Sequence, residues 1–475
     1  MASKRLVDSR RLPRPERASA GRLGGIGTPR FLLVFLLLVW IAGAVGIGWF
    51  RWEGSPPELA GPDRVWIGAA PRVIPFELVD SGAGPREVRA VLRHARGEVE
   101  LLRTQYPGNW LSGGSGGESA RFDLVVDPSR LDLKSGDAFL RIVATDWSWR
   151  RNRTTREIPV VIDLEPPRIR VTSGYTNVRR GGTGAVGYRV SEATVRDGVR
   201  VGNLRFRGHR VGGAGPRTQA GLHFALFAVP EEAPAEAPIR VFAVDEAGNE
   251  SEAQWPVFVR ERSPTEVQVP LSRGFLDTKV RALARAENLA EGDATETFRR
   301  VNTRVRRATE LRIRDLLDGS SPQPLWHGRF GQLPRSKVMS PFGERRRYTI
   351  DGVPVSEAIH LGYDLASTAA ARVPAANAGR VVFAGELGIY GNCVLVDHGL
   401  GLASLYGHLS RIDVKPDDRV EKGHALGLSG ATGLAGGDHL HFAILVGGFY
   451  VDPIEWWDAT WVRTHVEAQL VRSAP

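Results

Sequence analysis

The 475-residue chain holds one cysteine, Cys393, and two methionines. A lone thiol excludes any intrachain disulfide and any cysteine-based zinc knuckle, so a small disulfide scaffold is ruled out and a metal would need histidine and carboxylate ligands. Lysine is scarce too. Six of the 63 basic residues are lysine and the others arginine, a compositional bias that weakens the net charge of +10 as a sign of an anionic partner. An excess of one charge sign is also missing from residues 321–475, where 14 basic residues face 15 acidic ones, and nucleic-acid binding is not expected there. With 42% hydrophobic and 24% charged residues, neither wholesale disorder nor a collagen-like chain fits; the length suits about three domains of ~150 residues each.

Charge is instead concentrated at the start. Residues 1–30 form an arm with eight basic and two acidic side chains, and Phe31–Phe50 follows as 20 residues without a charge. A helix of that length is ~30 Å long, the thickness of a bilayer core. With the basic arm on one side and Trp49 and Trp52 at the other, the positive-inside rule leaves residues 1–30 in the cytoplasm. The expected location is the cell inner membrane, crossed once by residues 31–50, with the bulk of the chain in the periplasm or otherwise outside the cytoplasm. A cleaved signal peptide is the alternative, since Ala42-Gly43-Ala44 resembles a small-residue cleavage site. Both readings export the rest.

After a Pro/Gly-containing linker at 51–64, short alternating strands dominate, such as Arg141–Asp146 and Glu157–Asp163. The pattern recurs. LRIVATDWSWRRNRTTREIPVVID and IRVFAVDEAGNESEAQWPVFVRE each place a strand, an Asp, a polar turn with an Asn, then a second strand, and Asp146 and Asp245 are 99 residues apart. A period near that length with many short strands predicts two immunoglobulin-like sandwiches, at 65–163 and 164–262. A spacer role is the plain expectation; docking of a regulatory protein partner is the sharper alternative. From 263 to 324 the texture turns helical, with Val301, Val305, Leu311 and Leu316 at roughly helical spacing among many arginines. One or two amphipathic helices are expected, as a solvated connecting arm or as a regulatory arm over a site further on.

Eight of the 11 histidines follow residue 320, inside a region that reads as β, with an Asp351-Gly352 hairpin signal. In HLHFAILV, His439 and His441 share one face of a strand with Leu440 turned away; two adjacent imidazoles pack poorly unless they share a metal or a substrate. His360 and Asp364 stand four apart in HLGYD, about 13 Å in a flat strand, too far for one metal unless the chain bends at Gly362. Bent, that pair with one His of the H-x-H would supply three ligands and leave a fourth zinc position for water. SLYGH adds His408, placed on a strand with Tyr406 on its face. Cys393 reads as a buried small hydrophobe, His398 and His424 as surface or turn residues, and His327 and His465 have no partners that suggest a role.

Taken together, SPFGERR (340–346), HLGYDLA (360–366), YGHLS (406–410), VEKGHALGLSGATG (420–433) and DHLHFAI (438–444) resemble the ordered motifs of the lysostaphin-like, or LytM-type, zinc metalloendopeptidases, which cut peptide cross-links of bacterial peptidoglycan. The likeness covers about 325–460. It implies a small all-β, barrel-like domain with an open groove, Zn2+ held by His360, Asp364 and His441, and His439 and His408 acting on water and substrate, so that a zinc-activated water with a histidine general base hydrolyses the peptide. The loop Gly433–Asp438 departs from the Ser/Thr-Gly-Pro run common in the family. Some members have lost ligands and activate other wall hydrolases; the five residues stand here, so an active enzyme is expected, with a non-cleaving regulator as the alternative. The expected organisation is mainly β: transmembrane helix, two immunoglobulin-like domains, helical linker, peptidase domain at 325–460 and a tail at 461–475.

Overall fold

A computed structural model describes residues 28–52, 54–114, 119–211, 221–234, 236–290 and 292–472; nearly all of the basic arm lies outside them. The described chain is mainly β, with an apolar helix at its start, Thr28–Arg51. Its stretch Phe31–Trp49 is long and apolar enough to cross a membrane by length and composition.

Two compact units divide the chain, one drawn from residues 1–64, 73–125 and 138–159, the other from 65–72, 126–137 and 160–475. In the first, strand Pro85–His94 pairs antiparallel with Gly97–Gln105 and with Gly136–Asp146. Alternate side chains Val88, Ala90 and Leu92 are buried with Leu140, Ile142 and Ala144, the period of two that a half-buried sheet needs. After this strand the Asp146 carboxylate accepts from the Asn152 amide at 2.9 Å. The second unit contains the same turn, with Asp245 accepting from the Asn249 amide at 2.8 Å. In both turns the Asp N–H donates to the Asn carbonyl at 3.2 Å. The repeat read from the sequence is therefore one turn built twice. Around the second copy lie a four-stranded sheet containing Gly182–Val190 and Gly221–Val229 and another containing Arg196–Val201 and Ile239–Val244.

Further along the second unit the arm is not a solvated connector. Strand Glu266–Pro270 pairs parallel with Arg345–Ile350, which turns through Asp351 (φ 48°) and Gly352 (φ 81°) into Val353–Ile359, the hairpin expected from Asp-Gly. The added strand had no signal beyond a short alternation. Two helical runs follow, 273–286 and 294–317, capped by Ser272, whose hydroxyl accepts from the Phe275 N–H, and by Asp293, whose carboxylate accepts from the Glu296 N–H. Each contains a π turn. Phe298, Val301, Val305, Ile313 and Leu317 are buried, and the Phe298 ring meets Tyr348 at 5.0 Å. Leu311, expected on the apolar face, is 46% exposed, because the buried stripe runs through 309, 313 and 317 instead. The helix lies against Gly388, where a Cβ would fall within 2.1 Å of the Thr309 hydroxyl.

The main C-terminal sheet is antiparallel, with Lys337–Ser340, Tyr363–Ala366, Leu440–Val446, Leu402–Gly407, Asn392–Gly399, Gly379–Glu386 and Arg419–Val420 in that order. Its central strands are buried along almost their whole length, so apolar runs such as Val394–Val396 and Phe442–Val446 show no alternation. His398 is a correction. It lies fully buried on the strand Asn392–Gly399, its ring nitrogens 2.7 Å from the Ala378 carbonyl and the Ser404 hydroxyl, since a histidine with both nitrogens satisfied can sit inside a sheet. Cys393 is buried and free as expected, and His424 is exposed.

Candidate metal centre

Three strands of that sheet set the site. Asp364 pairs with His441 across neighbouring strands, and His441 pairs with Gly407 on its other side. His360 precedes the bend at Gly362 and folds back, so that its Nε2 lies 3.0 Å from Asp364 Oδ1; the 13 Å of a flat strand is removed by the bend. Gly362 has a second use. A Cβ there would lie 2.5 Å from His441 Nε2, so only glycine admits the imidazole at this spot. His441 Nδ1 stands 2.9 Å from Asp364 Oδ1 and 3.2 Å from His360 Nε2.

This triangle is short of protons. The Pro341 carbonyl, 2.9 Å from His360 Nδ1, can only accept, so Nδ1 carries a hydrogen and Nε2 is the nitrogen able to present a lone pair. Nε2 faces a carboxylate oxygen, an acceptor, at 3.0 Å. A contact this short needs a proton or a metal ion between the two atoms. Donor atoms on a tetrahedral zinc, with bonds of ~2.0–2.1 Å, stand ~3.3–3.4 Å apart. The observed 2.9–3.2 Å is close to that edge, and the two-His, one-carboxylate set suits zinc chemically. His441 Nε2 is buried with no hydrogen-bond partner among the described residues.

Two more imidazoles flank the triangle. His439 Nδ1 donates to the Gly437 carbonyl at 2.8 Å, leaving Nε2 basic and 3.5 Å from Asp364 Oδ1. His408 Nδ1 donates to the Thr432 carbonyl at 2.9 Å, and its ring centroid is 4.9 Å from that of His439. His408 is not on a strand. It sits one residue past Leu402–Gly407 with φ 65°, so strand alternation does not place it, and Tyr406 points inward to the Ala376 N–H. Burial, with the neighbouring histidines, pushes His408 down to about 3; burial likewise pushes His441 down to about 4, so both are neutral at pH 7. Burial works against the Asp364 charge but is outweighed by His360 and then by His439 and His441, which hold the carboxyl well below its ordinary range.

The motif SPFGERR supplies more than its resemblance suggested. Arg346 donates to Asp364 Oδ2 at 2.8 Å and to Glu344 at 3.1 Å, which fixes the carboxylate with Oδ1 turned to the histidines. Neither Arg346 nor the Pro341 carbonyl was given a role from sequence, although both lie in a quoted motif. Tyr390, also unforeseen, packs its ring at a tilt with its centroid 5.1 Å from that of His441. A cavity of about 340 Å³ is lined by the triangle, by His408 and His439, and by the loop residues Leu434–Gly436, so the loop that departs from the family pattern does form a wall.

A sheet-borne cluster of two histidines and an aspartate flanked by two free imidazoles is the arrangement of a metal-dependent hydrolase. Residues 358–453 match the sequence model of Peptidase family M23, and the C-terminal domain belongs to that lysostaphin-like family. The DD-carboxypeptidase/endopeptidase Mpg of Neisseria meningitidis is 33% identical over 119 residues, 25% of this chain and 26% of that protein. The peptidoglycan DD-endopeptidase ShyA of Vibrio cholerae is 35% identical over 114 residues, 24% of this chain and 25% of that one. The chain thus spans about a quarter of the length of these relatives. Among solved structures, the catalytic domain of lysostaphin from Staphylococcus simulans is 29% identical, covering 26% of this chain and 94% of that one with a TM-score of 0.23.

Proposed function

We propose that the chain is a membrane-anchored zinc endopeptidase that hydrolyses peptide cross-links of bacterial peptidoglycan. The observation that carries the reading is the convergence of His360 Nε2, Asp364 Oδ1 and His441 Nδ1, three metal-ligating atoms, within 3.2 Å of one another. These three would hold the zinc, which when bound polarises the scissile carbonyl and makes water more acidic. His439, with Nδ1 committed to Gly437 and Nε2 free, takes a proton from the attacking water and returns it to the leaving amine. His408, held by Thr432, orients the water or the peptide through its own free Nε2. Arg346 keeps Asp364 in register.

The other parts are read in the same light. Phe31–Trp49 anchors the chain in the cell inner membrane, and the modules at 65–163 and 164–262, read as immunoglobulin-like, carry the peptidase domain into the periplasm and offer a surface to a regulatory partner. Zinc content and cleavage of purified cross-linked peptidoglycan, measured on the full chain, test the reading. Alanine at His360, Asp364 or His441 should remove bound zinc, whereas His439→Ala and His408→Ala should abolish cleavage with most of the zinc retained. Undiminished zinc in Asp364→Ala would overturn the ligand set; a zinc-loaded chain that cleaves nothing would leave a non-cleaving regulator of other wall hydrolases as the function.

A further inference from the structure

The cavity over the metal centre is not closed by the M23 domain alone. Phe275, Phe298 and Arg306, all from the helical arm, line it together with the histidines. The arm reaches it because Val305 and Thr309 press on Gly388, and the turn Gly388–Tyr390 carries the Tyr390 ring that packs against His441. Two arginines line the cavity. Arg346 is committed to Asp364 and Glu344. Arg306 has no carboxylate partner among the described residues: its hydrogen bonds run to the Asn302 side chain (2.9 Å from Nη2) and backbone. Glu310, one turn on, makes its direct contact with Arg307 at 3.4 Å and meets the Arg306 charge only through space.

Asn302 explains how Arg306 is held. It is 2% exposed, and its amide nitrogen donates to the Ser356 hydroxyl at 2.8 Å and to the Glu357 carbonyl at 3.0 Å. With the amide hydrogens spent, its Oδ1 can only face Arg306. A half-buried guanidinium is thus held by a buried amide where it lines an aromatic cavity, with no carboxylate in ion-pair contact among the described residues. Such a group suits a carboxylate from outside, which a planar guanidinium binds through two parallel hydrogen bonds.

We propose that Arg306 anchors a free carboxylate of the bound peptide, so that the arm contributes a specificity-determining residue to the groove. The proposal rests on reading the cavity as a peptidase groove. The ligand class is a peptide with a free carboxyl near the bond presented to the metal, as cross-linked stem peptides carry at their termini and acidic side chains. Charged hydrogen bonds of this kind discriminate strongly, because the analogue lacking the group leaves a desolvated partner unpaired.

The test compares a soluble cross-linked peptide dimer, with its carboxyls free or converted to primary amides, as substrate for the full zinc-loaded chain and for Arg306→Gln and Arg306→Lys. Amidation should lower wild-type kcat/KM at least tenfold. Arg306→Gln should lose about as much on the free acid and stop distinguishing the two dimers, and Arg306→Lys should keep part of the preference. Zinc content and melting temperature should match wild type in both variants. A wild-type-sized preference for the free acid in Arg306→Gln would overturn the proposal. If wild type cleaves neither dimer, the peptidase reading has failed, and equilibrium binding of the two dimers decides for Arg306. Tighter binding of the free acid, lost in Arg306→Gln, upholds the anchor; equal binding overturns it.

Discussion

Replacing Gly362 by alanine should cost the chain most of its zinc affinity. The new Cβ would stand 2.5 Å from His441 Nε2, 2.6 Å from its Cε1 and 2.7 Å from the Phe442 carbonyl oxygen, where ordinary contact begins near 3.4 Å. Ring or backbone must therefore move by roughly 0.9 Å. The ring has little room to retreat, since Tyr390 and His360 each pack 5.1 Å from its centroid, and the carbonyl belongs to a central strand. Zinc sites hold their ligand distances to within ~0.2 Å, so a shift several times larger detaches the third protein ligand. Loss of a supporting residue outside the ligand set already costs ~10–100-fold in metal affinity. A displaced ligand should cost at least ~100-fold, or ~2.7 kcal/mol, beside ~1–3 kcal/mol of overpacking in stability. The assay is competition for zinc against a chromophoric chelator, on full chain that melts cooperatively. Gly436→Ala is the control: it lines the same cavity, yet its added Cβ meets nothing within 4 Å, and its affinity should equal wild type. A folded Gly362→Ala chain binding zinc within threefold of wild type would refute the reasoning.

Three other outcomes follow from the packing. Phe298→Ala should destabilise the C-terminal unit by ~3–5 kcal/mol, read as a lower melting temperature, because a fully buried ring leaves a cavity against Tyr348; Leu311→Asp, on the exposed side of the same helix, should change stability by less than ~0.5 kcal/mol. Burial pushes the Glu455 carboxyl up to about 8, although it accepts from the Thr183 N–H at 2.8 Å. The folded chain thus holds a proton that the unfolded chain has lost above its ordinary range near 4.5, so this contribution to stability is full at acid pH and is lost as pH rises toward 8. Glu455→Gln should flatten that decline in melting temperature between pH 5 and 8, and an unchanged pH profile would show the carboxyl is not the titrating group. A reporter fused after residue 60 should be active only outside the cytoplasm with the protein in the membrane fraction; a new N-terminus near Val45 would mean the apolar segment is removed.

What the chain decided by itself is the local and repetitive part. The apolar run could only become a helix of membrane length, Asp351-Gly352 could only become a tight hairpin, and the histidines at 360, 439 and 441 with Asp364 stood at spacings that one bend and one strand bring together. The duplicated Asp/Asn turn was visible for the same reason, since it is made by residues four to six apart. Contacts between distant segments were not legible. His408 depends on a left-handed backbone step and on Thr432, and Arg346 reaches Asp364 across 18 positions. The arm joins the cavity because strand Glu266–Pro270 adds to a hairpin some 80 residues away. His398 shows the same limit from the other side. Beside a glycine it has the look of a turn residue, and only the sheet that brings Ala378 and Ser404 to its two nitrogens makes burial tolerable. Spacing along the chain limits which side chains can meet; which of them do meet is set by packing among segments whose order in space no short pattern encodes.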